Sequence, residues 1–306
     1  MGIQNIAIVF LSIFFESLPF LLLGSLISSI IERYVSDEMI AKIIPRNAFL
    51  GSLVGVFLGF FIPACDCAVI PVSKRLIKRK VPLNVAVSFM LASPIINPVV
   101  LLSTYYAFYK TNPILFWMRP IFGILIALLI GVIMGIIFTE DITKNNHEEH
   151  CCHNEHCHHE EHKQKKSFKN DILFIIKHTA LDLFEVVKYL MFGAFLASVI
   201  QIAMPRNMIT LFSNNKILSI IALMLFAYLI SLCSTSDSFV GKSLVSTFGS
   251  TSILAYLLLG PMIDIKNTIV LFGNFKSKFV VTLISLIFIS IFIFCLLAVN
   301  ILWKNF

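Results

Sequence analysis

Segment 63–71 reads PACDCAVIP and closes a long apolar run, which places two thiols and a carboxylate at membrane depth. A charged group near the middle of a membrane helix costs roughly 3 kcal/mol on insertion scales, so Asp66 at this place indicates function. Thiolate is a soft donor that selects copper(I), zinc and similar thiophilic species over magnesium or calcium. Cys65 and Cys67 therefore predict a binding site for a thiophilic metal or metalloid.

The spacing of these cysteines sets a condition on the backbone. On a regular helix, residues two positions apart point about 200° away from each other and cannot share one ion. Extended backbone brings Cys65 and Cys67 to one side. Pro71 removes a helical hydrogen-bond donor and Pro63 disfavours helix at Ile62, so we expect an unwound segment here.

Two further proline-containing segments, 93–98 and 260–264, predict broken helices of the same kind. Transporters build binding sites in this way, with unwound backbone lining a polar cavity. If an axis relating two halves of the chain runs between the breaks, these segments and the one at 63–71 converge near one centre.

The second half of the chain supplies a third thiol. Cys233 ends an apolar run and is followed by the hydroxyl-rich stretch 234–238. It could complete a three-sulfur site, and trivalent arsenic and copper(I) both tolerate two or three thiolates, so the count does not separate them. The alternative is that a membrane cysteine packs as a small apolar residue, which is also our interpretation of Cys295.

The predicted substrate pathway consists of the thiols and the polar residues at or near the breaks, namely Cys65, Asp66, Cys67, Ser93, Asn97, Cys233, Asp237 and Asp264. Acidic residues in or beside apolar runs, Glu16 and Glu185 included, should mostly face the bundle interior. Asp264 is favoured because it follows a break and matches Asn97; the alternative is an interfacial charge near Lys266. For Glu185 the alternative is a solvated position in an amphipathic stretch at the start of its apolar run.

A central polar segment, 139–170, contains seven of the eight histidines of the chain. Its candidate metal ligands are His147, His150, Cys151, Cys152, His153, His156, Cys157, His158, His159 and His162. Imidazole and thiolate suit zinc, copper and nickel, but the spacing is too irregular for one closed tetrahedral site. We therefore predict a mobile collector or sensor that binds zinc or copper, with a solvated linker as the alternative. No other cofactor is expected.

The composition is that of an integral membrane protein. Of 306 residues, 58% are hydrophobic and only 13% are charged. A helix needs about 20 apolar residues to cross the bilayer, and continuous runs without alternation exclude a barrel, so we predict an all-α protein. About eight transmembrane helices are expected, from the runs at 5–31, 48–70, 83–109, 113–138, 172–203, 216–233, 251–272 and 279–302.

Landmarks recur in the two halves of the chain. Glu16 precedes Gly24 by eight residues, as Glu185 precedes Gly193. We therefore predict two four-helix transmembrane repeats, 1–138 and 171–306, joined by the segment 139–170 and oriented alike in the membrane.

Three glycines recur at four-residue spacing in the second apolar run. Gly51, Gly55 and Gly59 predict a smooth strip on which another helix approaches closely.

The formal net charge of +7 reflects topology rather than nucleic-acid binding, because the basic residues cluster in short loops. Five of them lie within 74–80, which places that loop on the cytoplasmic side. Both termini and the segment 139–170 are then cytoplasmic, and the protein is a multi-pass protein of the inner or plasma membrane. Its expected partners are the lipid bilayer and a small inorganic or organometal cargo. The pattern is compatible with an oligomer.

No ATP site is visible in the sequence. Segment 241–243 reads GKS, like the end of a nucleotide-binding loop, but Ser236 occupies the place of the required glycine and the setting is a membrane. We therefore predict a transporter, passive or coupled to an ion gradient, rather than an enzyme.

At these motifs the chain resembles the predicted-permease family that includes ArsP-type organoarsenical efflux permeases and some copper or zinc efflux proteins. The resemblance covers nearly everything outside 139–170 and rests on motif residues of both halves, namely Pro63, Cys65, Cys67, Pro71, the basic stretch 74–80, Ser93, Pro94, Asn97, Gly260, Pro261 and Asp264. It implies a membrane permease. The family pattern has Ser or Gly where this chain has Asp66 and Ala68, and the added carboxylate of Asp66 favours a cationic metal.

Three hypotheses follow. The leading one is a permease that exports a trivalent arsenical, copper or zinc, with Cys65 and Cys67 as ligands and Cys233 as a third. The second is a membrane thiol-disulfide oxidoreductase, because a Cys-x-Cys pair can form a strained, oxidising disulfide. The third is a metal sensor or assembly subunit without transport.

Overall fold

The computed structural model describes residues 2–34, 45, 47–62, 65–138, 142, 168–203, 215–245 and 247–301. The described residues form helices joined by short connections, in agreement with the predicted all-α membrane protein. The helices are α1 (Gly2–Tyr34), α2 (Ala48–Phe61), α3 (Asp66–Lys78), α4 (Leu83–Ile96), α5 (Pro98–Phe108), α6 (Pro113–Ile137), α7 (Phe168–Ala203), α8 (Lys216–Ile230), α9 (Ser234–Leu244), α10 (Ser250–Met262), α11 (Ile265–Asn274) and α12 (Ser277–Ile301).

The expected count of eight spans is corrected by helix length. Within the described residues, six spans are long and apolar enough to cross a membrane, namely Gln4–Ile31, Leu83–Phe108, Pro113–Ile137, Phe174–Ala203, Ser250–Asn274 and Ser277–Val299. The other two apolar helices, α2 and α8, have 14 and 15 residues. At 1.5 Å per residue these reach only about 21–23 Å, short of a hydrocarbon core of about 30 Å. The run at 48–70 is therefore not one span, because α2 ends at Phe61 and α3 begins at Asp66.

The same order of helices occurs in both halves of the described chain. Each half has a long helix, a short apolar helix, a short polar helix, a broken pair and a final long helix. Helices at the same place in this order pack together across the halves: α1 with α7, α4 with α10, and α6 with α12. In addition, α3 packs against α11 and α5 against α9. The duplication of 1–138 in 171–306 stays a prediction. With three long spans rather than four in each half of the described chain, the two copies would be oriented oppositely in the membrane and not alike.

The two broken pairs form the centre of the bundle. In the most apolar stretches of Leu83–Phe108 and Ser250–Asn274, 78% and 89% of the residues are buried. In the other long spans the share is 33% or less. Outer helices expose Leu, Ile and Phe side chains, as expected of a lipid-facing surface. Because the broken pairs lie innermost, their non-helical residues lie deep in the protein.

The breaks fall later in the chain than the prolines suggest. Pro94 and Pro261 lie inside α4 and α10, and the backbone leaves the helix at Asn97 and at 263–264. Asn97 is extended (φ −54°, ψ 130°) because Pro98 follows it and disfavours the helical region. Both predicted breaks therefore exist, displaced toward their C-terminal ends.

The first break agrees with its prediction only in part. Ile62 and Cys65 are both extended, as expected on either side of the unwound segment. Pro63 and Ala64 lie outside the described residues. Pro71, which we expected to prolong the unwound segment, is instead buried within α3. The missing N–H of a proline removes one intrahelical bond, and here the helix continues past it.

The basic stretch 74–80 is not simply a loop, which corrects its sequence interpretation. Helix α3 continues to Lys78, and Lys74 and Arg75 are buried. Lys74 Nζ lies 2.9 Å from Glu185 Oε1 of α7, and Arg75 pairs with Asp182 one turn earlier on α7. Glu185 is therefore a half-buried ion-pair partner rather than a solvated charge.

The glycine strip of α2 packs against α4 as predicted. A Cβ added at Gly51 would lie 2.6 Å from Asn84 Nδ2, and one added at Gly59 would lie 3.0 Å from the backbone nitrogen of Ser93. A Cβ added at Gly55 would overlap the carbonyl oxygen of Val85. Since neither backbone can yield without shifting a helix, this strip holds α4 in place.

We expect Gly55→Ala to lower the stability of the folded protein by about 1–3 kcal/mol, because the methyl group forces α2 away from α4. Thermal unfolding of the purified protein in detergent measures this change. Gly249→Ala is the matched control, since a Cβ at Gly249 meets no atom within 4 Å. Equal unfolding temperatures for the two variants would contradict the close packing.

Candidate functional site

Three helices begin at one buried place. Asp66 is the first residue of α3, Ser234 the first residue of α9, and Asp264 the N-cap of α11. Ser234 Oγ donates a hydrogen bond to Asp66 Oδ1 at 3.2 Å, which joins the starts of α3 and α9. The breaks before α3 and before α11 thus converge, as the sequence predicted; the break before α9, at 231–233, was not foreseen.

Lys266 joins the two carboxylates at this centre. Its Nζ lies 2.9 Å from Asp264 Oδ2 and 3.5 Å from Asp66 Oδ2, and all three residues are 3% exposed or less. Lys266 also donates to the carbonyl of Ser231 at 3.0 Å, where the backbone is left-handed (φ 53°, ψ 49°). The lysine thus connects the breaks before α3, α9 and α11.

The carboxylates gain support from the helices themselves. Asp264 Oδ1 accepts a hydrogen bond from the backbone N–H of Asn267 at 2.7 Å, which caps α11. Helix N-termini carry partial positive charge, so Asp66 in the first turn of α3 and Asp264 at the start of α11 are both favourably placed. Asp264 is therefore a buried partner of Lys266, and its alternative interpretation as an interfacial charge is wrong.

The thiols of both halves line one cavity beside this ion cluster. Cys65, Cys67 and Cys233 border an empty volume of about 380 Å³, together with Asp66 and Lys266. Cys67 is buried and the other two thiols are half-buried; all three are free. Among the described residues, no three His, Cys, Asp or Glu side chains are grouped closely enough to hold a metal ion. The arrangement is therefore a thiol-lined cavity rather than a closed coordination site.

Cavities follow α3 along its length. A second, narrower one lies on another side of Asp66 and is lined by Val69 and Ile70. A third, equally narrow, lies beside Lys74 and Glu185 near the C-terminal end of α3. Helix α3 thus borders all three cavities, and Asp66 borders the first two.

The other predicted pathway residues have different positions. Ser93 Oγ donates to the carbonyl of Ile62 at 3.3 Å and so supports the first break. Asn97 caps α5 by accepting from the N–H of Val99 at 3.0 Å. Neither borders the thiol cavity. Glu16 does border it, but is exposed rather than interior, which corrects its predicted placement.

Asp237 belongs to a second buried polar cluster, around Arg119. Tyr256 donates to Asp237 Oδ1 at 3.0 Å. Arg119, which is fully buried in α6, donates to Ser238 Oγ at 2.7 Å and to the Ser234 carbonyl at 3.2 Å. The carbonyl of Ser234 links this cluster to the ion cluster, because the hydroxyl of the same residue bonds Asp66.

Sequence reasoning missed Lys266 and Arg119. From the sequence, Lys266 was expected only as a neighbour of an interfacial Asp264, and no role was predicted for Arg119. The usable signal was the same for both, since a basic residue within an apolar run must be paired or bonded internally. The ten candidate ligands of the central segment lie outside the described residues.

Replacing Lys266 by methionine should destabilise the protein by about 3–5 kcal/mol, because two buried carboxylates lose their shared cation. Adding Asp66→Asn to that variant should recover part of the loss, since one of the two charges is then removed. Thermal unfolding in detergent measures both effects. Lys110→Met, at an exposed lysine, is the control and should stay within about 0.5 kcal/mol of the parent. A Lys266→Met variant as stable as this control would refute the ion cluster.

Comparison with known proteins places the chain in one family. A family model described as a predicted permease matches residues 2–299. A Streptococcus mutans protein, whose name describes a two-component membrane permease complex subunit, is 37% identical over 94% of this chain and 93% of its own length. UPF0718 protein YcgR of Bacillus subtilis is 38% identical over 92% of this chain and 93% of its own length. No solved structure matches the chain.

The family match spans every described helix up to residue 299 of α12 and includes both breaks that carry the thiols. On this evidence the chain belongs to the predicted-permease family.

Proposed function

We propose that this permease exports a thiophilic metal or metalloid through the thiol-lined cavity. One observation carries the proposal: Cys65 and Cys67 from the first half and Cys233 from the second border the same cavity at the place where three helices begin. Soft sulfur donors at a break in the membrane helices suit copper(I), zinc or trivalent arsenic. Because the thiols are not grouped as a closed site, a cargo would be held weakly enough to leave again, as transport requires.

The ion cluster bears on the charge of the cargo. The sequence favoured a cation because Asp66 adds a carboxylate between the two thiols. In the structure Lys266 lies between Asp66 and Asp264 and offsets one of their two negative charges, and helix N-termini offset more. This weakens the preference for a cation, so a neutral trivalent arsenical is as suitable a cargo as copper or zinc.

The remaining parts of the proposal concern the setting of transport. We place the protein in the cell membrane with the segment 139–170 in the cytoplasm, where it would collect zinc or copper and deliver it or report it. Because three long spans precede this segment and three follow it, both ends of the described chain would then lie on the opposite side of the membrane. Export would be passive or coupled to an ion gradient.

We also propose that the chain acts together with a second membrane component. The support is the name of the Streptococcus mutans relative, which describes one subunit of a two-component complex and which aligns over 94% of this chain.

Export assays with a Cys65→Ser, Cys67→Ser double variant test the cavity thiols. Cells that carry the double variant should lose resistance to at least one of arsenite, copper and zinc and accumulate that cargo to the level of cells without the protein, because soft ligands are replaced by hydroxyls. Cys295→Ala is the matched control, since Cys295 is a buried thiol that does not border the cavity. Unchanged export of all three cargoes by a double variant present at parental level would refute the assigned ligands.

A further inference from the structure

Helix α9 has the place in the second half that α3 has in the first, and α5 has the place in the first half that α11 has in the second. The surroundings of the α9–α5 pair differ from those of the α3–α11 pair. Cys65 is the N-cap of α3 and Cys233 is the N-cap of α9, so each position of α9 corresponds to the position of α3 that lies 168 residues earlier in the chain. Likewise, Asn97 is the N-cap of α5 and Asp264 is the N-cap of α11, so these two residues correspond. The two pairs, α3 with α11 and α9 with α5, can thus be compared residue by residue.

The α3–α11 pair is covered by α1 and α7. Gly24 of α1 packs so closely on α3 that an added Cβ would lie 2.6 Å from the Cβ of Ala68. Gly193 of α7 packs on α11, where an added Cβ would lie 3.0 Å from the Cα of Lys266. As a result, every residue of α3 from Asp66 to Leu76 is buried.

The α9–α5 pair has no such cover among the described helices. Neither α1 nor α7 packs against α5 or α9 as they pack against α3 and α11. The uncovered surface consists of the exposed residues of both helices, and we call it the α5–α9 face; its members are Pro98, Val99, Leu102, Tyr106, Phe239, Lys242 and Ser243. Val99 stands at the position of Lys266, and its side chain is 57% exposed.

Lys242, in the last turn of α9, adds a positive charge to this face. It stands 168 residues after Lys74, the lysine of α3 whose Nζ lies 2.9 Å from Glu185 and 3.0 Å from Asn274 Oδ1. Lys242 is exposed and forms no ion pair with any described residue. A lysine on a lipid-facing helix is costly unless it is paired or reaches the membrane surface. On the covered side, an acidic residue of a packed helix meets that need.

We infer that the α5–α9 face binds a second membrane protein, whose helices cover it as α1 and α7 cover the α3–α11 pair and which pairs an acidic side chain with Lys242. This rests on the proposal that the chain works with a second component. A small residue of the partner helix would lie against Ser236, the counterpart of Ala68, as Gly24 does on the covered side.

A second copy of this chain does not fit the face as well. Asp182 and Glu185, the described acidic side chains of its α7, are already paired with Arg75 and Lys74 of the same chain, and Glu16 of its α1 borders the thiol cavity. Breaking a buried pair to form another gains nothing. A different protein that brings its own unpaired acid in a membrane helix fits the face better, in keeping with a two-component complex.

Photo-cross-linking in the native membrane tests the face with the full chain. Benzoylphenylalanine is placed at Phe239 and at Tyr106, and at Phe57 and Phe184 as equally exposed controls on other surfaces. We expect one membrane polypeptide to be captured from both test positions and from neither control. Lys242→Glu should lower its capture at least about tenfold, because a charge pair becomes a repulsion. Lys110→Glu, which reverses an exposed lysine elsewhere, should not.

The identity of the captured chain decides between occupants. Changing one acid in a membrane helix of the captured protein to lysine should restore its capture by the Lys242→Glu variant. Capture of a second copy of this chain, equal labelling at test and control positions, or capture that is insensitive to Lys242→Glu would overturn the inference. None of these results depends on the cargo, so a failure here is distinct from a failure of the cysteine variants to change export.

Discussion

The contact between Lys266 and the carboxylates of Asp66 and Asp264 is the constraint on which the centre of this protein depends. These side chains are buried, and an unpaired charge in such a place costs several kcal/mol. The pairing therefore requires the start of α3 to lie against the start of α11. Hydrogen bonds from Lys266 to the Ser231 carbonyl and from Ser234 to Asp66 add the start of α9. Once these three helix ends meet, the thiols next to them must share one cavity.

Small residues make that meeting sterically feasible. The glycines of α2 let α4 approach within contact of its backbone, and Gly24 and Gly193 do the same for α1 on α3 and α7 on α11. Without a hydrophobic driving force between helices in lipid, such close packing and internal polar bonds hold a bundle together. The long α1 and α7 lie on one side of the centre only, which leaves the two related pairs of short helices in unequal environments. That inequality, rather than any single residue, marks the α5–α9 face.

The chemistry of the site follows from the balance between sulfur and charge. In the proposed function the thiols would select a soft cargo, and the lysine reduces the negative charge that two carboxylates would otherwise impose on the cavity. Asp66 of the ion cluster borders both the thiol cavity and the next cavity along α3.

The amino-acid sequence by itself determined the helical membrane architecture, because continuous apolar runs admit no other backbone in lipid, and it determined the breaks at Ile62 and Asn97, because a following proline acts on its immediate neighbour. It also singled out Cys65, Cys67 and Cys233 through their residue type. Only the tertiary structure decided that Pro71 stays helical, that Lys74 is an ion-pair partner of Glu185 rather than a loop charge, and that Lys266 and Arg119 belong to buried polar clusters. Each of these depends on which residues far apart in the chain come into contact, and neither periodicity nor spacing along the chain contains that information.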